Sequence, residues 1–281
     1  MLSRLEFRNL FVNSLSHLYD ENEIYAMFRA YVSDRLGMEP YRYFLDMNSP
    51  IADEDLAHSD IQRLSKGEPL QYVVGKASFC GMELMVSPDV LIPRPETEEL
   101  VQHIVSDWEK ADSLSILDIG TGSGAIAIAL ARLLPHATVC AVDFSEKALQ
   151  MAEKNARHHQ TQVLFSQLDV LSENLPSQYD VIVSNPPYIP RSKREELHRN
   201  VVDFEPGAAL FVPDEQPTIF YDRIIRLSQT ALNPSGGLYF ETYESYQDEI
   251  VEGMKTAGFI HVQAFADQFG RPRFVTGGQR A

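Results

Sequence analysis

Cysteine is scarce in this sequence, with only Cys80 and Cys140 among 281 residues. Neither belongs to a C-x-x-C pair, so we expect no disulfide framework and no metal site, and a reducing compartment fits. Long apolar runs are also lacking: no stretch of about eighteen apolar residues occurs, and the first residues do not have the apolar core of a signal peptide. We therefore expect a cytoplasmic protein without a membrane span.

Basic residues are few compared with acidic ones. The chain has 24 Lys and Arg against 40 Asp and Glu, which gives a formal net charge of −16. Nucleic-acid affinity comes largely from Lys and Arg neutralising phosphates, so this balance disfavours a broad phosphate-binding face. We expect no direct contact with nucleic acid, although a local basic patch is compatible with the composition. Nothing in the sequence requires an oligomer, and we expect a monomer.

The N-terminal part has the periodicity of helices. Apolar residues recur at three- and four-residue spacing in two runs, which are Ile24, Phe28, Tyr31, Val32 and Leu36, and then Leu56, Ile61 and Leu64. After residue 70 the pattern changes to aromatic and β-branched residues mixed with glycine and proline, which favours a hairpin. The sequence thus predicts a helical domain over residues 1–70, a hairpin linker over 71–90 and a larger domain over 91–281.

The larger domain alternates between short apolar runs and helical segments. Strands are predicted over 115–119, 138–142, 163–165, 179–184, 238–241, 261–265 and 273–276, and helices over 95–109, 125–134, 146–158, 219–232 and 247–257. This alternation predicts an α/β fold, with a doubly wound, mostly parallel seven-stranded sheet and helices on both faces.

A glycine-rich segment lies where the first core strand turns into a helix. Gly120, Gly122 and Gly124 permit positive φ and close approach of a ligand to the backbone. Asp143 ends the next strand, near the spacing at which an acidic residue binds ribose hydroxyls. The segment satisfies the dinucleotide pattern G-x-G-x-x-G/A, whereas Asp118 and the extra glycine resemble the adenosylmethionine loop of class I methyltransferases. A glycine turn that only packs helix against strand is the third interpretation.

The most specific motif is Asn185-Pro186-Pro187-Tyr188, at the end of an apolar strand. The prolines fix φ and remove two backbone donors, and Pro186 keeps Asn185 out of the helical region. The Asn185 side-chain oxygen and the Pro186 carbonyl can accept the two hydrogens of a planar NH₂ group, and Tyr188 can lie against its flat face. Such a loop predicts methyl transfer to nitrogen by orientation and exclusion of water, without a strong base. The less specific interpretation is a rigid turn without chemistry.

Fold topology relates the two motifs. In the common strand order, the first and fourth core strands are neighbours, and ligands bind at the switch point between them. The glycine loop and the Asn-Pro-Pro-Tyr loop follow these two strands, so we expect them to meet at one site.

Asn-Pro-Pro-Tyr occurs both in enzymes that methylate adenine amines and in enzymes that methylate glutamine. The stretch LIPRPETE at 91–98, together with 117–127 and 184–189, closely resembles the peptide chain release factor glutamine N5-methyltransferases. The resemblance extends over most of the chain, from the helical N-terminus and Gly67-Glu68-Pro69 to Phe204-Glu205-Pro206 and Gly236-Gly237.

The resemblance implies a substrate, a donor and a set of residues. The substrate would be the Gly-Gly-Gln motif of a bacterial release factor, methylated by S-adenosylmethionine on the glutamine side-chain nitrogen, with S-adenosylhomocysteine as product and an effect on translation termination. The helical domain would help to recognise the release factor. The implied cofactor-binding residues are Gly120, Thr121, Gly122, Ser123, Gly124, Asp143, Asp169, Val170 and Asn185, and the implied catalytic residues are Asn185, Pro186, Pro187 and Tyr188.

Several positions stay open. The adenine-side residue is often aromatic but is Val170 here, and Asp169 before it is equally compatible with a solvated turn. Arg94 and Glu96 either order a lid over the cofactor or form a helix entry with a solvated acid. The stretch from Glu241 to Tyr243 carries no assignable role.

Alternative functions also remain at this point. These are methylation of a ribosomal-protein glutamine, N6-methylation of adenine in nucleic acid, a cofactor-binding module without chemistry, and a dinucleotide oxidoreductase. Gly277-Gly278-Gln279 spells the expected substrate tripeptide in the chain itself. It is compatible with coincidence or, as a weaker hypothesis, with self-methylation or occlusion of the site by the tail.

Overall fold

The computed structural model describes residues 2–279 of the chain. Two compact units are present: one runs up to Lys76 and also contains Leu197–Phe204, and the other contains Ala77–Glu196 and the chain from Glu205 onwards. The first unit therefore extends past the expected boundary at residue 70. It also includes a short segment from the middle of the chain, which local sequence patterns do not reveal.

The described residues form the following elements. The helices are α1 Arg4–Leu15, α2 Glu21–Asp34, α3 Pro40–Leu45, α4 Glu54–Leu64, α5 Leu70–Val74, α6 Pro95–Trp108, α7 Ala125–Leu133, α8 Glu146–His158, α9 Arg199–Phe204, α10 Gly207–Leu210, α11 Ile219–Ala231 and α12 Gln247–Thr256. The strands are β1 Lys76–Phe79, β2 Met82–Met85, β3 Leu114–Ile119, β4 Ala137–Asp143, β5 Val163–Gln167, β6 Tyr179–Ser184, β7 Ile189–Pro190, β8 Phe211–Val212, β9 Leu232–Glu241, β10 Ile260–Ala266 and β11 Pro272–Gly278. Short 3₁₀ helices cover Arg191–Glu196 and Glu244–Tyr246.

The first unit is helical and has its own aromatic core. Helix α1 begins at a capping box between Ser3 and Glu6, and an aspartate caps each of α2 and α4. The apolar stripe of α2 packs into a cluster that includes Phe7, Phe11, Ile24, Phe28, Tyr31, Tyr43 and Leu64. Leu56 of α4 is half-exposed, so the core-facing stripe of that helix is set by Ala57, Ile61 and Leu64.

The segment expected as a hairpin linker over 71–90 is only partly a hairpin. Strands β1 and β2 form a two-stranded sheet, but the residues before them form helix α5. Pro69 precedes that helix, and Gly75, with φ of 79°, ends it in the left-handed conformation that favours glycine. Four of the five residues of α5 are buried, so packing overrides the β-propensity of its Tyr and Val residues.

The second unit contains a seven-stranded sheet in the order β10-β11-β9-β6-β3-β4-β5. Every neighbouring pair from β9 to β5 is parallel, and β11 pairs antiparallel with both β9 and β10. Consecutive residues Ile116 and Leu117 of β3 belong to two separate buried clusters, because neighbouring side chains of a strand face opposite sides. One cluster takes in α6 and α7, and the other takes in α11 and α12. The predicted doubly wound α/β fold is confirmed.

The strand order places the switch point at β3. The chain proceeds from β3 through β4 to β5 on one side, whereas β6 and β9 lie on the other side. Ile119 of β3 is paired with Ser184 of β6, and the Ser184 hydroxyl donates to the Ile119 carbonyl at 2.7 Å. Consequently Gly120 and Asn185 leave neighbouring strands at the same edge of the sheet.

No helix within residues 2–279 is long and apolar enough to cross a membrane.

Candidate active site

The glycine loop after β3 is tied to the end of β4. The backbone N–H groups of Gly120 and Thr121 both donate to the Val142 carbonyl, at 2.9 and 3.1 Å. Gly120 and Gly122 have φ of 76° and 56°, which L side chains adopt only at a cost. The Thr121 hydroxyl donates to Asp118 at 2.7 Å. The loop is therefore fixed from both neighbouring strands.

Asp143 at the end of β4 organises this loop from the cavity side. Its carboxylate accepts hydrogen bonds from the backbone N–H groups of Gly122 and Ser145, each at 2.9 Å. The side chain is almost completely buried, and burial raises the pKa of its carboxyl. A carboxylate has about four lone-pair positions, so Asp143 can still accept from a pair of hydroxyl groups.

A cavity of about 270 Å³ joins the two loops that the sequence singled out. Of the predicted residues, Gly120, Gly122, Asp143, Asp169, Val170, Asn185, Pro186 and Pro187 line it. Its other walls are mostly apolar and include Leu91, Leu168, Pro206, Phe220 and Ile224. The expected meeting of the glycine loop with the Asn-Pro-Pro-Tyr loop is thus what the structure shows.

Three residues of the glycine loop do not line this cavity in the described structure. The Thr121 hydroxyl is bonded to Asp118, and the Ser123 carbonyl accepts from the Asn155 side chain at 2.9 Å. Gly124 precedes α7, and a Cβ built on it would lie 2.9 Å from the Ile128 side chain. Thr121 is therefore held against β3, whereas Ser123 and Gly124 make contacts with α7 and α8.

Asp169 and Val170 occupy the wall beyond β5. The Asp169 carboxylate accepts from the Leu171 N–H at 3.0 Å and from the Ser172 hydroxyl at 2.9 Å, which is the pattern of a turn acid. Val170 is buried, and its carbonyl accepts from the Arg223 guanidinium at 3.0 Å. The structure thus favours the turn interpretation for Asp169, whose side chain is also exposed.

The amide of Asn185 is held by a residue that sequence patterns did not single out. Its Nδ2 donates to the Thr97 hydroxyl at 3.3 Å, and that hydroxyl in turn donates to the Glu241 carboxylate at 2.6 Å. Thr97 belongs to the LIPRPETE stretch, while Glu241 ends β9 beside Asn185. Only the strand order could have revealed this contact, because the three residues are far apart in sequence.

Tyr188 is placed differently from the expectation. It does not line the cavity in the described structure but directs its hydroxyl to Glu241, at 3.5 Å. Its ring stacks on Tyr243, with 5.8 Å between the centroids. Burial is the largest cause that raises the pKa of the Tyr188 hydroxyl, so this group is a neutral donor.

Two aromatic residues in the cavity wall were missed by sequence reasoning. Phe144 directly follows Asp143 and is 56% exposed while lining the cavity; its position directly after Asp143 was a usable signal. Phe220 comes from α11, far along the chain, and no local pattern connects it with the glycine loop. Together they supply the aromatic surface that Val170 lacks.

Arg94 connects two segments of the cavity wall. Its guanidinium forms an ion pair with Glu205, which is buried and also accepts from the Ile92 N–H at 3.2 Å. Residues on both sides of this pair, Leu91 and Pro206, line the cavity. Arg94 is therefore more than a helix entry, because its ion pair links two segments of the cavity wall; ordering of a cofactor lid stays a prediction.

Two further features bear on the alternatives. No group of three or more His, Cys, Asp or Glu within the described residues could hold a metal ion. At the tail, Gly278 pairs with Gly237, and the Gln279 side chain donates to the Gln229 carbonyl at 3.0 Å. Gln279 therefore lies near the opposite end of strand β9 from Glu241. This position gives no support to self-methylation or to occlusion of the site by the tail.

Comparisons with known proteins identify the family of the chain. The family model described as "Methyltransferase small domain" matches residues 95–204. A release factor glutamine methyltransferase of Bacteroides thetaiotaomicron is 42% identical over 94% of this chain and 95% of its own length. One of Flavobacterium psychrophilum is 37% identical over 96% of each chain.

A solved structure gives independent support for the fold alone. The crystal structure of a methyltransferase from Pyrococcus furiosus superposes with a TM-score of 0.53 at 17% identity, covering 72% of this chain and 90% of that chain. The cavity, the Asn-Pro-Pro-Tyr loop and the full-length likeness converge on one conclusion: the chain belongs to the release factor glutamine methyltransferase family.

Proposed function

We propose that this protein transfers a methyl group from S-adenosylmethionine to the side-chain nitrogen, N5, of the glutamine in the Gly-Gly-Gln motif of peptide chain release factors. The observation that carries this proposal is that one cavity is lined by Gly120, Gly122 and Asp143 and also by Asn185 and Pro186. A donor site and an amide-binding loop in one cavity are what direct methyl transfer requires. The names of the full-length relatives indicate the protein substrate.

The cavity has the chemistry of an adenosyl site. Asp143 offers carboxylate oxygens to ribose hydroxyls, and the glycine loop lets the backbone approach the ligand closely. Leu168, Val170 and Phe220 provide apolar surface for a flat base. When bound, S-adenosylmethionine supplies an electrophilic methyl group on a sulfonium.

The Asn-Pro-Pro-Tyr loop would hold the substrate amide. Asn185 Oδ1 and the Pro186 carbonyl accept one hydrogen each from the planar NH₂ group, which aims the nitrogen at the methyl group. Pro186 and Pro187 keep this arrangement stiff and exclude water. No strong base is needed, because the nitrogen becomes acidic as it gains the methyl group and then releases its proton to solvent.

The remaining expectations belong to the same proposal. The helical unit up to Lys76 would contribute to recognition of the release factor, and the protein would act as a cytoplasmic monomer without direct contact to nucleic acid. Its net charge of −16 supports the last point, since phosphate binding depends on Lys and Arg. Methylation of a ribosomal-protein glutamine is the second candidate, because the loop recognises an amide and not a particular protein.

The test is a methyl-transfer assay with labelled S-adenosylmethionine and four separate substrates. These are a purified release factor, the same factor with Glu in place of the motif glutamine, ribosomal protein, and DNA or RNA. We expect label on the unaltered release factor and none on the Glu form, because a carboxylate lacks the NH₂ group. Transfer to nucleic acid alone, or to ribosomal protein alone, would contradict the proposal.

A further inference from the structure

Asn185, Thr97 and Glu241 are connected by hydrogen bonds although they come from three separate elements. Asn185 follows β6 directly, and Glu241 is the last residue of the neighbouring strand β9, where Ser184 pairs with Phe240. Thr97 lies in the first turn of α6. Thr97 and Glu241 are both almost fully buried, with 5% and 1% exposure, so water does not compete for the hydrogen bond between them.

The direction of this hydrogen-bond chain follows from the number of hydrogens available. Thr97 has one hydroxyl hydrogen, and when Glu241 is ionised its carboxylate can only accept that hydrogen, across 2.6 Å. The Thr97 oxygen can then only accept, so the Asn185 atom that faces it at 3.3 Å must be its NH₂ group. Asn185 Oδ1, the other side-chain atom, has no hydrogen bond from any described residue and is left for a ligand.

We propose that Thr97 and Glu241 are positioning residues, which fix the Asn185 amide in the orientation that presents its oxygen to the substrate NH₂ group. This inference rests on the proposed function, since it concerns the loop that would grip the glutamine. Without the two residues, Asn185 could turn its own NH₂ group towards the substrate, and two donors would face each other.

Glu241 has hydrogen-bond partners besides Thr97, and charged groups lie near its carboxyl. Tyr188 donates to its second oxygen at 3.5 Å, and the Tyr221 hydroxyl donates to its backbone carbonyl at 3.0 Å. Burial raises the pKa of the Glu241 carboxyl, whereas the Thr97 hydroxyl and the charges of Arg273 and Arg94 lower it and Glu96 raises it. The carboxyl thus titrates at higher pH than an ordinary glutamate.

Protonation of Glu241 would reverse the hydrogen-bond chain. A protonated Glu241 carboxyl donates to the Thr97 oxygen, so the Thr97 hydroxyl hydrogen points towards Asn185 instead. The Asn185 amide then turns so that its side-chain oxygen accepts that hydrogen. The Asn185 NH₂ group then faces the cavity. Acidification should therefore lower kcat with Thr97 intact and have less effect once the Thr97 hydroxyl is absent.

The experiment compares Thr97→Val, Thr97→Ser and Thr242→Val with the wild-type protein. Valine keeps the shape of threonine and removes the hydroxyl, while serine keeps the hydroxyl. Thr242 is the matched control, because its hydroxyl is also fully buried, next to Glu241, but has no hydrogen-bond partner among the described residues. The measurements are kcat and KM with release factor, and the Kd of S-adenosylhomocysteine.

For Thr97→Val we expect kcat to fall by on the order of tenfold to a hundredfold, while both KM and Kd change by less than about threefold. Thr97→Ser should recover most of the rate, and Thr242→Val should behave like the wild-type protein. A Thr97→Val variant that binds S-adenosylhomocysteine normally and keeps wild-type kcat would overturn the inference. So would equal losses in Thr97→Val and Thr97→Ser, because these would indicate a packing role.

The proposed function is tested separately by the wild-type protein in the same assay. If the wild-type protein does not methylate release factor, the proposed function fails, whatever the variants do.

If Thr97→Val does not fold, the pH dependence of wild-type kcat at saturating substrates tests the positioning role instead. A fall of kcat on acidification, centred above the ordinary glutamate range, supports the inference, and a flat profile through that range overturns it.

Discussion

At the scale of single residues, Asp118 has the least favourable environment for a charge near the glycine loop. Its side chain is fully buried, and its carboxyl accepts from the Thr121 hydroxyl at 2.7 Å and from the backbone N–H of Ala127. Burial raises the pKa of its carboxyl to about 7, and the nearby Asp143 contributes in the same direction. The protonated form is therefore favoured in the folded protein more than in the unfolded chain.

This shift predicts how the stability depends on pH. Because the folded pKa lies above the unfolded one, the stabilisation is complete below the ordinary aspartate range and is lost as pH rises through about 7. Asp118→Asn removes this titration. We expect the free energy of unfolding of the wild-type protein to fall more than that of the variant between about pH 5 and about pH 7.5, by on the order of a few kcal/mol. Urea unfolding at the two pH values measures this, and identical changes in both proteins would refute the assignment.

Residues that follow a strand directly were the ones that sequence could predict. Gly120, Asp143 and Asn185 each have a position fixed by the strand before them, so the α/β pattern was sufficient. Thr97 and Glu241 were not predictable, because their contacts depend on which strands and helices become neighbours. The position of Tyr188 also depends on Glu241 and differs from the expectation for the same reason.

At the scale of elements, regular segments with strong periodicity were predicted well. Helix α8 and strand β6 have the predicted bounds, and the other core strands differ by a few residues at their ends. Strand β9 begins at Leu232, six residues earlier than the predicted 238, because the Asn233 side chain donates to Asp180 at 2.8 Å and holds a segment that contains Pro234. The short elements β7, β8, α9 and α10 have no periodic signal and are held by tertiary contacts.

Packing between α7 and α8 leads to a prediction about Gly124. It has φ of 83°, and a Cβ there would lie 2.9 Å from the Ile128 side chain and 3.1 Å from that of Ala152. Gly124→Ala should therefore lower the free energy of unfolding by roughly 2–4 kcal/mol, from the left-handed backbone and the overpacking together.

The matched control is Gly258→Ala, because Gly258 has a similar φ of 93° and no atom within 4 Å of its Cβ position. This change should cost only the backbone part, roughly 1 kcal/mol. Equal effects of the two substitutions in urea unfolding would show that the contact with α8 does not restrict Gly124.

At the scale of the whole molecule, the chain forms two compact units and has a strongly acidic composition. The extent of the helical unit could not be predicted from local sequence patterns, because Leu197–Phe204 joins it from the middle of the chain. The net charge of −16 was informative from the start, since it disfavours nucleic acid as a substrate before any motif is considered. The choice of glutamine over adenine depended on the LIPRPETE stretch, which ties Thr97 and Arg94 to the site.

The most direct test of the central claim is mass spectrometry of the peptide that contains the Gly-Gly-Gln motif. A purified release factor is incubated with S-adenosylmethionine and either the wild-type protein or Asn185→Ala. With the wild-type protein we expect one added methyl group, located by fragmentation on the glutamine side chain. With Asn185→Ala we expect the yield to fall by on the order of a hundredfold or more, while S-adenosylhomocysteine still binds. Two results would contradict the claim that this loop binds the glutamine amide. One is an unmodified glutamine after incubation with wild-type protein that binds S-adenosylhomocysteine, and the other is a full yield with Asn185→Ala.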